Sequence, residues 1–278
     1  MEQRALGTVA RLLAAAIVVA APLAASAETV LITGANSGLG LEFAKQYAAK
    51  GWTVIATHRR RELPATLAEV VAQYPKVRVE TLDVTSLEQA RALAAKLENV
   101  PIDVLINNAG VYNDRSGCDA ADDACPGSYQ TQTFGQLDFD LLDTIMAVNI
   151  KGPLLVSQAL YPNVKASSLK KIVAISSSNG TITGELPNPW PGAMFYRMSK
   201  AALNREMQIL ASSVRPDGVT VVILNPGPTL TEHQEYLRGN PIMLETSFTV
   251  GHMIDTIATT TLEETGQFRR YDGAPEKW

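Results

Sequence analysis

Cysteine and histidine are scarce in this chain: two and three residues among 278. His58, His233 and His252 are far apart, and the Cys118–Cys125 spacing does not suit zinc. No resident metal is expected. Basic runs are missing too. Arg59-Arg60-Arg61 is the nearest approach to one, and 24 Lys and Arg against 28 Asp and Glu leave a formal charge of −4. That balance argues against a nucleic-acid partner. No internal repeat or low-complexity tract occurs beyond the N-terminal segment. The apolar run Leu12–Ala24 falls short of the ~20 residues that span a bilayer, so no stable membrane span is expected.

The first 27 residues differ from the rest. Arg4 and Arg11 precede the alanine-rich run, and Ala25-Ser26-Ala27 forms a small-residue cleavage pattern. Residues 1–27 are therefore expected to be a cleaved secretory signal, with the mature protein exported to the periplasm or outside the cell. An over-long start would instead leave the protein cytoplasmic. Export agrees with the cysteines. Cys118 and Cys125 flank a polar, Asp-rich stretch and are expected to close a small disulfide loop. Such a loop contributes about 2–3 kcal/mol of local ordering. Asp119, Asp122 and Asp123 between them read as a solvated acidic loop.

The full chain has 46% hydrophobic residues, and the rest is long enough for one large α/β domain, residues 28–278. Thr29–Thr33 is a β-branched run that predicts a buried strand. It leads into Thr33, Gly34, Ala35, Asn36, Ser37, Gly38, Leu39 and Gly40, then a helical pattern over Leu41–Lys50. Strand, glycine turn and helix in that order let backbone amides approach a pyrophosphate at the helix N-terminus. A second strand, Trp52–Thr57, ends in His58-Arg59 where NAD sites place an acid. An arginine suits a 2′-phosphate instead, so NADP is expected with Arg59 as its main contact, and NAD is the alternative.

A helix over Leu63–Tyr74 and a strand over Val77–Leu82 follow, the strand ending at Asp83-Val84, on the ligand-binding edge of such sheets. Ser86 caps a helix over Leu87–Leu97. A fourth strand, Ile102–Ile106, ends in Asn107-Asn108-Ala109-Gly110. Strands alternating with helices of this length predict a parallel sheet. Residues 111–136 form a long polar insertion, and Leu137–Lys165 a long helix broken at Gly152-Pro153. A strand over Lys171–Ile175, a helix over Phe195–Ser213, a strand over Val219–Leu224 and a helix over Thr249–Leu262 complete the pattern.

Tyr196 and Lys200 stand one turn apart on the same helix face. A phenol beside an ammonium loses its proton more easily. Moving it from its reference value towards neutrality requires roughly 3 pKa units, about 4 kcal/mol.

T-G-x-x-x-G-x-G at 33–40, N-N-A-G at 107–110 and Y-x-x-x-K at 196–200, in that order, resemble the short-chain dehydrogenase/reductase family over essentially all of residues 28–278. The Tyr271-Asp-Gly…Trp278 tail resembles its C-factor and sniffer-like carbonyl reductase subgroup. The resemblance implies a single doubly wound Rossmann domain with a mostly parallel sheet of about seven strands. It implies an NADP-dependent oxidoreductase that interconverts a small carbonyl and its alcohol by hydride transfer, with Tyr196 as general acid/base. It assigns Lys200 to lowering the Tyr196 pKa and Asn149 to ordering a relay water. Ser177 is the family serine, with Ser178 as the alternative register. Asn108, Ala109, Gly110, Pro226, Gly227, Thr229 and Thr231 are further cofactor contacts, and residues 230–248 a mobile substrate lid made partly apolar by Tyr236, Met243 and Leu244. Association into homo-oligomers is implied as well. The rival function on the same fold is a catalytically silent dinucleotide-binding signalling protein.

Overall fold

The computed structural model describes residues 27–113, 128, 130–183 and 192–278. The expected signal, except Ala27, lies outside the described residues, as do Cys118 and Cys125 with their expected disulfide.

Seven strands form one sheet. They are β1 (Thr29–Ile32), β2 (Thr53–His58), β3 (Val77–Thr81), β4 (Val104–Asn107), β5 (Lys171–Ile175), β6 (Thr220–Asn225) and, after the short strands described below, β9 (Phe268–Arg270). Their order is β3-β2-β1-β4-β5-β6-β9, and every neighbouring pair is parallel. The chain walks outward from β1 to β3, then restarts on the other side at β4. That reversal leaves a crevice beyond the C-terminal ends of β1 and β4, where open α/β sheets bind ligands. The seventh strand comes from the C-terminal tail.

Strand residues alternate between two cores. Val30 and Ile32 face one core, built with Phe43 and Tyr47 of α1 (Gly38–Ala49), Leu67 and Val70 of α2 (Ala65–Gln73), and Val250 and Met253 of α7 (Thr246–Thr259). Leu31 faces the other, built with Leu93 of α3 (Leu87–Lys96), Leu160 of α5 (Gly152–Lys165), and Leu203 and Met207 of α6 (Met194–Val214). Burial of the central strands on both faces explains their continuous apolar runs.

The long helix differs from expectation. α4 (Phe139–Met146) passes into a π-helical turn over Ala147–Lys151 before α5 begins at Gly152. Pro153 follows directly on this turn, and because the backbone runs on helically through Lys151 and Gly152, its missing N–H frees a carbonyl of the π turn. The irregularity lies directly ahead of the glycine, and it carries Asn149. π turns of this kind are frequent at functional sites. The expected lid also contains structure. β7 (Thr229–Leu230) pairs in parallel with β8 (Leu244–Glu245), a 3-10 segment spans Glu232–Leu237, and α7 starts at Thr246 rather than Thr249. Among the described residues, no helix is long and apolar enough to cross a membrane.

Candidate active site

The glycine turn after β1 is bolted to the turn after β4. Thr33 Oγ1 accepts from the amides of Asn108 and Ala109, each at 3.0 Å. Asn108 Nδ2 donates back to the carbonyls of Thr33 (2.9 Å) and Gly34 (3.1 Å). The backbone here selects glycine. Gly34 and Gly38 have φ of +63° and +53°, a region costly to other L-residues. A Cβ on Gly40 would lie 2.3 Å from Gly34 O and 2.5 Å from Asn108 Nδ2. The result is a cradle of amides at the N-terminus of α1. An anion already uses it: the Gly38 amide donates to Glu232 Oε1 at 2.7 Å.

A cavity of about 930 Å³ runs from this cradle to the end of β5. Leu39, Arg59, Asn108 and Gly110 line its first half. Ser177, Ser178, Tyr196 and Lys200 line the second, and Pro226, Gly227, Thr229 and Thr231 close one side. Thr33, Gly34, Asn36, Ser37, Gly38, Gly40 and Ala109 build the floor or flank of the cradle rather than the cavity lining. Asp83 and Val84 stand apart from it. The Asp83 carboxylate accepts from the amide and hydroxyl of Thr85, and Val84 packs beneath Gly152.

At the β5 end, the Ser178–Gly180 turn presses on α6. A Cβ on Gly180 would sit 2.7 Å from the Lys200 carbonyl carbon, so no larger residue fits. Both Ser177 and Ser178 line the cavity beside Tyr196. Ser177 Oγ accepts from the Asn179 amide at 3.1 Å. Lys200 Nζ is buried, donates to Ile175 O at 2.8 Å, and lies 5.6 Å from the centre of the Tyr196 ring. Burial pulls the Lys200 ammonium down to about 8. Burial pushes the Tyr196 phenol well above its ordinary value, with a smaller push from Tyr112, while the Ser177 side chain pulls the other way.

Asn149 is fully buried in the π turn. Its amide accepts from Val111 N at 2.7 Å and donates to Val111 O (2.8 Å) and Ser199 Oγ (2.9 Å). Ser199 Oγ in turn donates to Tyr196 O. Asn149 thus ties the chain after β4 to the helix that carries Tyr196.

Three contributors have no sequence signature. Gln132 joins Tyr112 to Tyr196 through its amide, and the two tyrosine rings meet edge-on at 4.4 Å. Glu232 meets α1 from 194 positions away. Glu276 accepts from Asn225 Nδ2 at 2.6 Å, and Asn225 Oδ1 accepts from the Gly227 amide, which fixes the Pro226-Gly227 turn.

Known proteins share the family and the fold of this chain. The short chain dehydrogenase family pattern matches residues 28–241. The C-signal protein of Myxococcus xanthus is 31% identical over 188 residues, covering 68% of this chain and 99% of that protein. The NADPH-bound carbonyl reductase from chicken fatty liver superposes with a TM-score of 0.78 at 26% identity, covering 91% of this chain and 99% of that one. A Burkholderia multivorans protein of the short-chain dehydrogenase/reductase class, solved with bound NADP, gives a TM-score of 0.72 at 30% identity, covering 91% and 100%.

Proposed function

The chain belongs to the short chain dehydrogenase family and is an NAD(P)-dependent oxidoreductase, and from that premise we propose that it reduces a small carbonyl compound at the expense of NADPH. The observation that carries this reading is that Ser177, Tyr196 and the buried Lys200 line one cavity that also reaches Arg59 and the glycine cradle.

The residues suit a dinucleotide. The amides at the start of α1 hold a carboxylate, a stand-in for phosphate, and Gly40 leaves no room for anything but close backbone approach. Arg59 would hold the 2′-phosphate bidentately, which favours NADP over NAD. When bound, the nicotinamide supplies the hydride.

Tyr196 would deliver the proton that balances it. Its raised pKa keeps the phenol neutral at pH 7, the form a general acid needs in the reductive direction. The Ser177 hydroxyl would donate to the substrate oxygen as negative charge develops there. The phenolate left behind faces the Lys200 ammonium. That positive charge favours the phenolate, while burial keeps Tyr196 from being a resting base at neutral pH. Asn149 would hold the chain after β4 and the start of α6 in register, with its expected relay water as part of the same reading.

The reading includes export through residues 1–27, supported by their charge and alanine pattern, and homo-oligomerisation, supported by the family resemblance. N-terminal sequencing of the native protein and sedimentation test these. For the chemistry, NADPH oxidation is followed across a panel of aldehydes and ketones, with NADH in parallel and cofactor binding measured separately. Turnover with a preference for NADPH is the expected result. Tight NADPH binding without turnover on any member would favour a silent signalling role, a reading supported by the similarity to C-signal.

A further inference from the structure

We propose that Gln132 is a positioning residue for Tyr196: a side chain from the 111–136 insertion caps the start of the catalytic helix and locks the two tyrosines together. The proposal rests on the reading of Tyr196 as the proton donor.

Helix α6 has no cap of its own. Its N-cap residue, Ala193, is left-handed at φ +63° and has no side-chain hydrogen bond to offer. Tyr196 is the third residue of the helix, so its amide is one of the first-turn donors that lack an intrahelical acceptor. Gln132 Oε1 takes that proton at 3.0 Å. The other half of the same amide donates to Tyr112 O at 2.9 Å. Gln132 is 0% exposed, so water cannot replace either bond. It sits in the 3-10 turn Gln130–Gln132, which is itself braced by Asp138 N donating to Thr131 O at 3.0 Å.

The consequence reaches the chemistry. One buried amide fixes the backbones of both tyrosines whose rings meet edge-on at 4.4 Å. The Tyr196 phenol is carried on a helix start to which this distant side chain gives a direct bond at the Tyr196 amide, beside the Asn149–Ser199 tie to the Tyr196 carbonyl, and small displacements of a reacting group are costly in rate. Gln132, near the end of the insertion, is thus part of the site's scaffold, tied to the proton donor.

The test compares Gln132→Leu with Gln132→Glu in the full chain. Gln132→Leu removes both bonds. It is expected to lower kcat about 10-fold or more, with the NADPH dissociation constant unchanged, and to speed hydrogen exchange at the Tyr196 amide. Gln132→Glu as a carboxylate keeps the acceptor but loses the donor, and its buried carboxyl titrates above the usual carboxylate range. Protonation restores a group that both donates and accepts. Its kcat is therefore expected to climb towards wild type as pH falls, a recovery that Gln132→Leu cannot show. Exchange at Tyr196 is independent of turnover, so a failure of the carbonyl-reductase reading leaves this arm intact. Should Gln132→Leu not fold, Gln132→Glu carries the test through its acid recovery. Unchanged kcat and unchanged Tyr196 exchange in the folded variants would overturn the proposal. So would equal loss in both variants with no pH-dependent recovery in Gln132→Glu.

Discussion

The two ends of the cavity are built by different means. The glycine end is assembled from the tips of two adjacent strands, β1 and β4, and its hydrogen bonds run between backbone and two short side chains. Its requirements are backbone requirements: a left-handed φ at Gly34 and no Cβ at Gly40. The tyrosine end is assembled from the loop after β5, a π turn, an insertion and a helix start, held by amides that cross long stretches of chain. The first end tolerates almost no substitution at its glycines. The second depends on side chains whose types recur everywhere in proteins. Rigidity at one end therefore comes from sterics, and at the other from a network that single deletions can loosen.

That contrast can be broken from either side. The largest effect is expected from Gly40→Ala, whose methyl would collide with Gly34 O and Asn108 Nδ2. A cost of about 3 kcal/mol, at the upper end for overpacking, should appear in denaturant melts together with loss of NADPH binding. Arg59→Ala comes next. Removing a charge-assisted contact should weaken NADPH binding about 10- to 100-fold while leaving NADH nearly unchanged, as measured by fluorescence titration.

At the other end, the pH profile isolates Lys200. Its ammonium persists below about 8 and is lost above, so reductive kcat should fall as pH rises through 8. Its contribution to stability runs the opposite way. The folded pKa lies below the unfolded value, so the folded state binds fewer protons between about pH 8 and 10.4, and stability attributable to Lys200 rises across that window. The smallest effect should come from Glu232→Gln. The wild-type carboxylate occupies the α1 amides, and neutralising it should tighten NADPH binding about 2- to 5-fold, in line with the modest energy of a charge at a helix terminus.

The same contrast explains what could be read in advance. The parallel sheet, the cradle glycines and the Tyr196–Lys200 pair are legible because periodicity, φ and helical spacing restrict residue type locally. The family resemblance supplied the serine, but three serines in a row left two registers open, and both Ser177 and Ser178 line the cavity. Gly152-Pro153 marked the helix irregularity one step late, because a proline is visible in sequence and a π turn is not. Gln132 and Glu232 could not be found at all. Each acts across a large separation, 64 and 194 positions, through one polar atom meeting a backbone amide, which leaves no pattern in the chain.

The most direct test of the account is single-turnover hydride transfer by Tyr196→Phe, measured beside its NADPH dissociation constant. The account predicts binding within about 2-fold of wild type and a transfer rate lower by about 10³-fold, as expected for loss of a general acid. A Tyr196→Phe rate within about 10-fold of wild type, with substrate still reduced, would contradict it.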